Sequence, residues 1–288
     1  MNNTAFLAQF LATPWAMKPE VIATYISILS GRHAVGTAAA YQAAKPAATA
    51  RQGSIAVIPI YGAIMQRGGA MLDYFGGTST DQVSSMLRQA LADETVSQIL
   101  LDIDSPGGSV YGTGELAAEI LQARSQKPIV AFANSQAASA AYWIGCSASE
   151  FHVTPGGEVG SIGVWMAHED YSKVMADVGV KTTIISAGKF KVEGNPYEPL
   201  ATDAQDFMQS RVSDYYQSFT AGVAKGRGVP IDAVRSGMGQ GRCIGADQAL
   251  SENMVDGVMT LSDVIKKMQR SAKPSNLRSA RNALALLE

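Results

Sequence analysis

Three short apolar runs, at residues 54–62, 97–104 and 128–133, constrain this chain more than any other feature, because segments with helical apolar spacing separate them. The first, Ser-Ile-Ala-Val-Ile-Pro-Ile-Tyr-Gly, reads as a buried strand ending at a turn glycine, Gly62. The second, Ser-Gln-Ile-Leu-Leu-Asp-Ile-Asp, is broken at Ser105-Pro-Gly-Gly-Ser109, and the third is Pro-Ile-Val-Ala-Phe-Ala. Between them the spacing predicts a helix over 81–92, capped by Thr80 and striped with Val83, Met86, Leu87 and Ala90, and a second helix over 114–124. A strand-helix-strand alternation of this kind predicts an α/β fold with a mostly parallel sheet covered by helices, since parallel neighbours need a long crossover that a helix supplies.

The flanking sequence is read around that body. Two short helices are expected at 4–11 and 19–29, the second presenting Val21, Ile22, Tyr25, Ile28 and Leu29 on one face, and an Ala-, Thr- and Gln-rich linker follows to Gly53. Downstream, strands are expected at 151–154, 162–166 and 181–186, a turn-rich loop at 155–160 and a helix at 171–178. A long helix over 201–226 would turn Phe207, Val212, Tyr215, Tyr216 and Phe219 to the core. Shorter helices are expected at 230–236, 245–252 and 261–270. The expected organisation is a helical N-terminal extension and linker (1–53), a catalytic body (54–272) and a basic, helical tail (273–288). The formal net charge of -2 argues against a nucleic-acid partner, and the two cysteines, Cys146 and Cys243, lack metal-ligand spacing, so no metal or cofactor is expected. Without a signal-peptide pattern or an apolar run of the roughly 18–20 residues that a membrane span needs, a cytoplasmic location is expected.

The chemistry concentrates where the third run ends. Asn134-Ser-Gln-Ala-Ala-Ser-Ala-Ala-Tyr-Trp-Ile144 passes from strand to an Ala-rich helix, and Ser139 is flanked on both sides by small residues that leave room for a substrate carbonyl. A serine at a helix N-terminus meets free N–H groups that favour developing negative charge. Ser135 is a rival nearer the strand end. Gly107 and Gly108, at the C-terminal edge of a strand, let the backbone approach a ligand and offer N–H groups to an oxyanion. The base is less evident in the residues themselves. His33 lies in the linker, His152 among apolar neighbours and His168 beside Glu169 and Asp170, whereas Lys189 and Lys191 follow an expected strand and would need desolvation to act.

Four motifs in order, Asp104-Ser-Pro-Gly-Gly108, Ala138-Ser-Ala-Ala-Tyr-Trp143, Gly160-Ser-Ile-Gly-Val164 and Gly188-Lys-Phe-Lys191, resemble those of the signal peptide peptidase A (S49-type) family of serine peptidases. Arg227-Gly228, the run 241–250 and Val255-Asp256 resemble that family's C-terminal part. The resemblance implies a crotonase/ClpP-like fold and a Ser/Lys dyad with no cofactor: Ser139 as nucleophile, Lys191 as general base and Ser161 orienting the lysine amine. Gly108, aided by Gly107, would donate to the oxyanion, with Ala140 lining the same substrate-binding space. Family members commonly carry two glycines after the serine, where this chain has Ala140 and Ala141.

The opening Phe10-Leu-Ala-Thr-Pro-Trp-Ala-Met17 is similar to the phage capsid-assembly branch of that family. The resemblance therefore implies a homo-oligomeric endopeptidase that processes scaffold, portal or coat proteins in the host cytoplasm, inside proheads. An extended peptide is expected to add as a strand at a sheet edge, with small or apolar residues before the cut. The competing readings are a bacterial signal-peptide-peptidase-like enzyme, a ClpP-like Ser/His/Asp peptidase, a catalytically silent assembly protein and a crotonase-type acyl-CoA enzyme.

Overall fold

A computed structural model describes residues 13–29, 50–69, 72 and 76–271. The expected helix at 4–11, most of the linker and the tail lie outside the described residues. In chain order the elements are β1 (Trp15–Met17), α1 (Pro19–Leu29), β2 (Ala50–Gln52), β3 (Ile55–Tyr61), β4 (Ile64–Met65), β5 (Thr78–Ser79), α2 (Thr80–Ala92), β6 (Gln98–Ser105) and β7 (Gly107–Ser109). Then follow α3 (Thr113–Ala123), β8 (Ile129–Ala138), α4 (Ala140–Gly145), β9 (Glu150–Val153), β10 (Glu158–Gly160), α5 (Ser172–Asp177), α6 (Thr202–Arg227) and α7 (Ile231–Ser236). A 3-10 turn (Met238–Gly241), β11 (Cys243–Gly245), α8 (Ala246–Ser251), β12 (Gly257–Val258) and α9 (Leu261–Ser271) complete the described chain.

The apolar runs become the parallel centre of the larger sheet, ordered β11-β10-β8-β6-β3-β2, with β9 on β8 and β12 on β9. Only the edge pairings, β2 with β3 and β11 with β10, are antiparallel. One face carries Ile58, Ile60, Ile99, Leu101, Ile103, Ala131 and Ala133 against α2, α3, α4 and the end of α6 in the main core. The other face packs Ile55, Leu100, Val130 and Phe132 against Val264 and Met268 of α9. The mostly parallel sheet between helices is therefore present as the alternation requires.

Several local expectations are corrected. Ser79, not Thr80, caps α2: its backbone is extended, and its hydroxyl accepts from the Gln82 N–H at 3.3 Å. The loop expected at 155–160 supplies β10, and pairing with β10 lets β8 run on to Ala138, well past the apolar residues that announce it. No strand forms over 162–166, where Trp165 makes a single bridge to Trp15. None forms over 181–186 either, because that stretch has no ladder partner and is exposed throughout, Ile185 at 95 %. Helix α6 buries Ala204, then Phe219, Thr220 and Val223, with Phe219 stacked on Trp143 at 4.8 Å. Phe207, on another face of the same first turns as Ala204, is 59 % exposed.

Candidate active site

Strand β8 ends where the site begins. Ser139 follows its last residue, caps α4, and has φ 56 and ψ −116, a left-handed conformation that costs a residue with a Cβ on the order of 1–3 kcal/mol. The turn is held from beneath: the Ser139 N–H donates to Gly160 O at 2.7 Å, and Trp143 N–H returns a helical bond to Ser139 O at 3.0 Å. Ser139 is buried, with its hydroxyl hydrogen-bonded to no described residue. The neighbouring Ser161 repeats the motif at the end of β10, with φ 54 and its N–H on Arg242 O at 2.8 Å. Two strained serines thus sit at the C-terminal ends of adjacent parallel strands, and the Ser139–Gly160 bond fixes their spacing.

The rival Ser135 is exposed and donates to Asp104 Oδ1 at 2.5 Å, so a carboxylate already holds it outside this turn.

Gly107 lies against the nucleophile candidate. A Cβ built on it would stand 3.0 Å from Ser139 Cβ, 2.9 Å from Ala138 O and 2.3 Å from Ala16 O, at φ +99, so only glycine fits. Its N–H is taken by Ser105 Oγ at 3.1 Å. Gly108 is pressed as closely on β4, where a Cβ would meet Ile64 O at 1.8 Å. Of the two glycine amides, Gly108 is therefore the one turned to the groove beside β7. Ala140, the first residue of α4, is fully buried at the helix N-terminus, where backbone N–H groups have no intrahelical partner.

Strand β7 is bordered by β1, an element that the sequence reading missed. Three residues between Pro14 and Lys18 carry no measurable period, and they fall between the helices expected at 4–11 and 19–29. The strand runs antiparallel, with Trp15 opposite Ser109, Ala16 opposite Gly108 and Met17 opposite Gly107. On its other side Trp15 exchanges both backbone bonds with Trp165, at 2.9 and 3.0 Å, and Trp165 Nε1 donates to Met17 O at 3.0 Å.

The candidate bases fall elsewhere. Lys191 is exposed and its amine is hydrogen-bonded to no described residue; every residue from 176 to 191 is exposed. Lys189 stands over the Phe190 ring at 4.6 Å. The structure thus brings Ser139, Ser161, Gly107, Gly108 and Ala140 together and leaves Lys191 on a segment that projects from the body. His152 is buried in β9, bonded through Nε2 to Glu150 at 3.0 Å, with Lys267 3.4 Å away. His168 Nε2 lies 3.1 Å from Asn195 O. Neither histidine is hydrogen-bonded to Ser139. Cys146 is buried, and burial pushes its thiol up to about 12. Among the described residues no cluster of His, Cys, Asp or Glu could hold a metal, and no helix is long and apolar enough to cross a membrane.

A strained serine at the C-terminal end of a parallel strand, with Gly107 packed against it, is an arrangement suited to an α/β serine peptidase, and the model of peptidase family S49 matches residues 122–275. The chain belongs to that family. It is similar to the head-tail preconnector protein GP5 of Enterobacteria phage P21, at 36% identity over 78% of this chain and 44% of that protein. It is also similar to the capsid assembly protease C of Escherichia phage lambda, at 34% over 79% and 52%. The chain spans about half the length of these two relatives. A ClpP1 mutant from Listeria monocytogenes is similar in backbone, with a TM-score of 0.46 and 14% identity over 72% of this chain and 92% of that one.

Proposed function

We propose that this chain is a serine endopeptidase working through a Ser/Lys dyad, and that it processes scaffold, portal or coat proteins inside assembling phage proheads in the host cytoplasm. The observation that carries the enzymatic reading is the Ser139 turn: a costly backbone conformation, held by Gly160, at a helix N-terminus with Gly107 packed against it. Strain of that kind persists where a hydroxyl must be presented rather than packed. The names of the phage relatives support the assembly setting.

In this reading neutral Lys191 takes the Ser139 proton as Oγ attacks the scissile carbonyl. The oxyanion forms against the Gly108 N–H and the N-terminus of α4 at Ala140, and the lysine then protonates the leaving amine. Water repeats the sequence on the acyl-enzyme, and Ser161 steadies the amine. The exposed segment must dock for this to happen, because a lysine in bulk water stays charged. Val174, Val178, Ile185 and Phe190 are exposed apolar side chains on that segment, a surface suited to docking onto the body or within a homo-oligomer. The substrate enters as an extended strand along β7, paired through its backbone, so small side chains at the turn set specificity.

The test is cleavage of a coat or scaffold protein by Ser139→Ala and Lys191→Ala. Each is expected to lose at least about 100-fold in rate, the usual contribution of a positioned base or more, while remaining folded. Activity kept in Lys191→Ala and lost in His152→Ala or His168→Ala would establish a Ser/His/Asp mechanism instead.

A further inference from the structure

The amide read as the oxyanion donor already has a carbonyl on it. In an antiparallel ladder, hydrogen-bonded pairs alternate with non-bonded ones. The Val110 N–H donates to Pro14 O at 3.3 Å, and the Lys18 N–H donates to Pro106 O at 3.2 Å. The pair midway between them, Ala16 opposite Gly108, is therefore a bonded pair, in which the Gly108 N–H donates to the Ala16 carbonyl. The same carbonyl oxygen and the Ser139 Cβ flank the empty side of Gly107, 2.3 and 3.0 Å from one methyl-sized point.

The rest of the segment is held as a bound peptide would be. Ala16 bonds to β7, Pro14 and Lys18 to the residues flanking it, Val110 and Pro106, and on the other side Trp15 bonds through both backbone groups to Trp165. Trp15, Ala16 and Met17 are each at most 1 % exposed. The Lys18 amine is anchored at 2.7 Å by Glu158, the first residue of β10. Nothing in the catalytic reading uses these residues, yet they fill the groove that the reading needs open.

We propose that residues 14–18 are a built-in occupant of the peptide groove, an autoinhibitory strand that places Ala16 where the residue before the scissile bond of a substrate must lie. The claim rests on the assignment of Ser139 as nucleophile. It also names the substrate class: an extended peptide with a small residue at the Ala16 position, whose side chain is fully buried, flanked by bulky apolar residues equivalent to Trp15 and Met17. Entry of such a peptide requires the segment to leave, so apparent affinity falls with the fraction of chains in which the groove is open.

The test uses the full chain and a Pro-Trp-Ala peptide boronate, which forms a covalent adduct with a nucleophilic serine. Ala16→Arg puts a long cation where no space exists, and Ala16→Pro removes the N–H that the ladder uses; both expel the segment. Either variant is expected to form the Ser139 adduct on the order of tenfold faster than the unaltered chain. Equal rates would overturn the autoinhibitory role and leave the nucleophile standing. No adduct in either form would overturn the nucleophile assignment, and the occupant with it. A second arm, independent of how those variants fold, uses the unaltered chain, with amide hydrogen exchange at residues 15–18 followed as boronate is added. Faster exchange on adduct formation supports displacement, and unchanged protection with Ser139 fully modified shows β1 to be a fixed wall of the site.

Discussion

Replacing Ser139 by glycine is expected to make the protein more stable while abolishing hydrolysis. Ser139 holds φ 56 and ψ −116, where a residue with a Cβ pays about 1–3 kcal/mol. Glycine pays none of that strain but loses about 0.5–1 kcal/mol through the freedom of its unfolded chain. Alanine removes the hydroxyl and keeps the Cβ, hence the strain. Ser139→Gly should therefore exceed Ser139→Ala by about 1 kcal/mol, equivalent to about 2–4 °C in Tm for a body of this size. Paired urea and thermal denaturation of the two variants, under conditions where both refold, measures the difference. The glycine variant melting at or below the alanine variant would refute the reasoning, because the turn would then store no strain for catalysis to use.

Other outcomes follow from the same structure. Asp256→Ala should cost about 1–3 kcal/mol in urea denaturation, since it strips a nearly buried Arg227 of bonds at 2.8 and 2.8 Å and the Phe151 N–H of its acceptor at 2.7 Å, while solvent at the exposed carboxylate screens the pair. Burial alone would raise the Asp256 carboxyl, but the Arg227 guanidinium and the Phe151 amide outweigh it and hold the carboxyl below the usual range. Its contribution is thus fully present above the unfolded value of about 3.9 and is lost as pH falls through the lower folded value; in Asp256→Asn the urea midpoint should decline less steeply between about pH 5 and pH 2. Gly108→Ala should abolish cleavage and lower stability by at least about 1–3 kcal/mol, because its methyl would stand 1.8 Å from Ile64 O; normal turnover would contradict the close approach of β4 and β7. Burial pushes the Cys146 thiol up to about 12 and the Cys243 thiol up to about 11, so iodoacetamide near pH 8 should modify both far more slowly in the native protein than in urea.

The sequence made the parallel centre of the sheet legible because Ile58, Leu101 and Phe132 sit in continuous apolar runs, the mark of strands covered on both faces. It also marked Ser139 and the Gly107-Gly108 turn, since small residues and glycines at strand ends are required by close approach and not by burial alone. What it hid depends on partners far along the chain. Strand β1 is only three residues long and owes its existence to β7 and Trp165, so no local pattern announces it. Phe207 and the stretch 181–186 look apolar enough for a core, yet the body offers them no surface and they remain exposed. Lys191 is named by the resemblance of Gly188-Lys-Phe-Lys191 to a family motif, and its own surroundings in the described chain carry no sign of desolvation.

The most direct measurement is the separation of Lys191 Nζ from Ser139 Oγ in a structure of the full chain, in its native assembly, with a peptide boronate on the serine. The Ser/Lys account predicts a covalent bond from Oγ to boron, with the amine at about 2.6–3.2 Å from that oxygen or bridged to it by one water, and with Ser161 beside the amine. A Lys191 side chain still in bulk solvent in that complex, with another base against the serine, would contradict it.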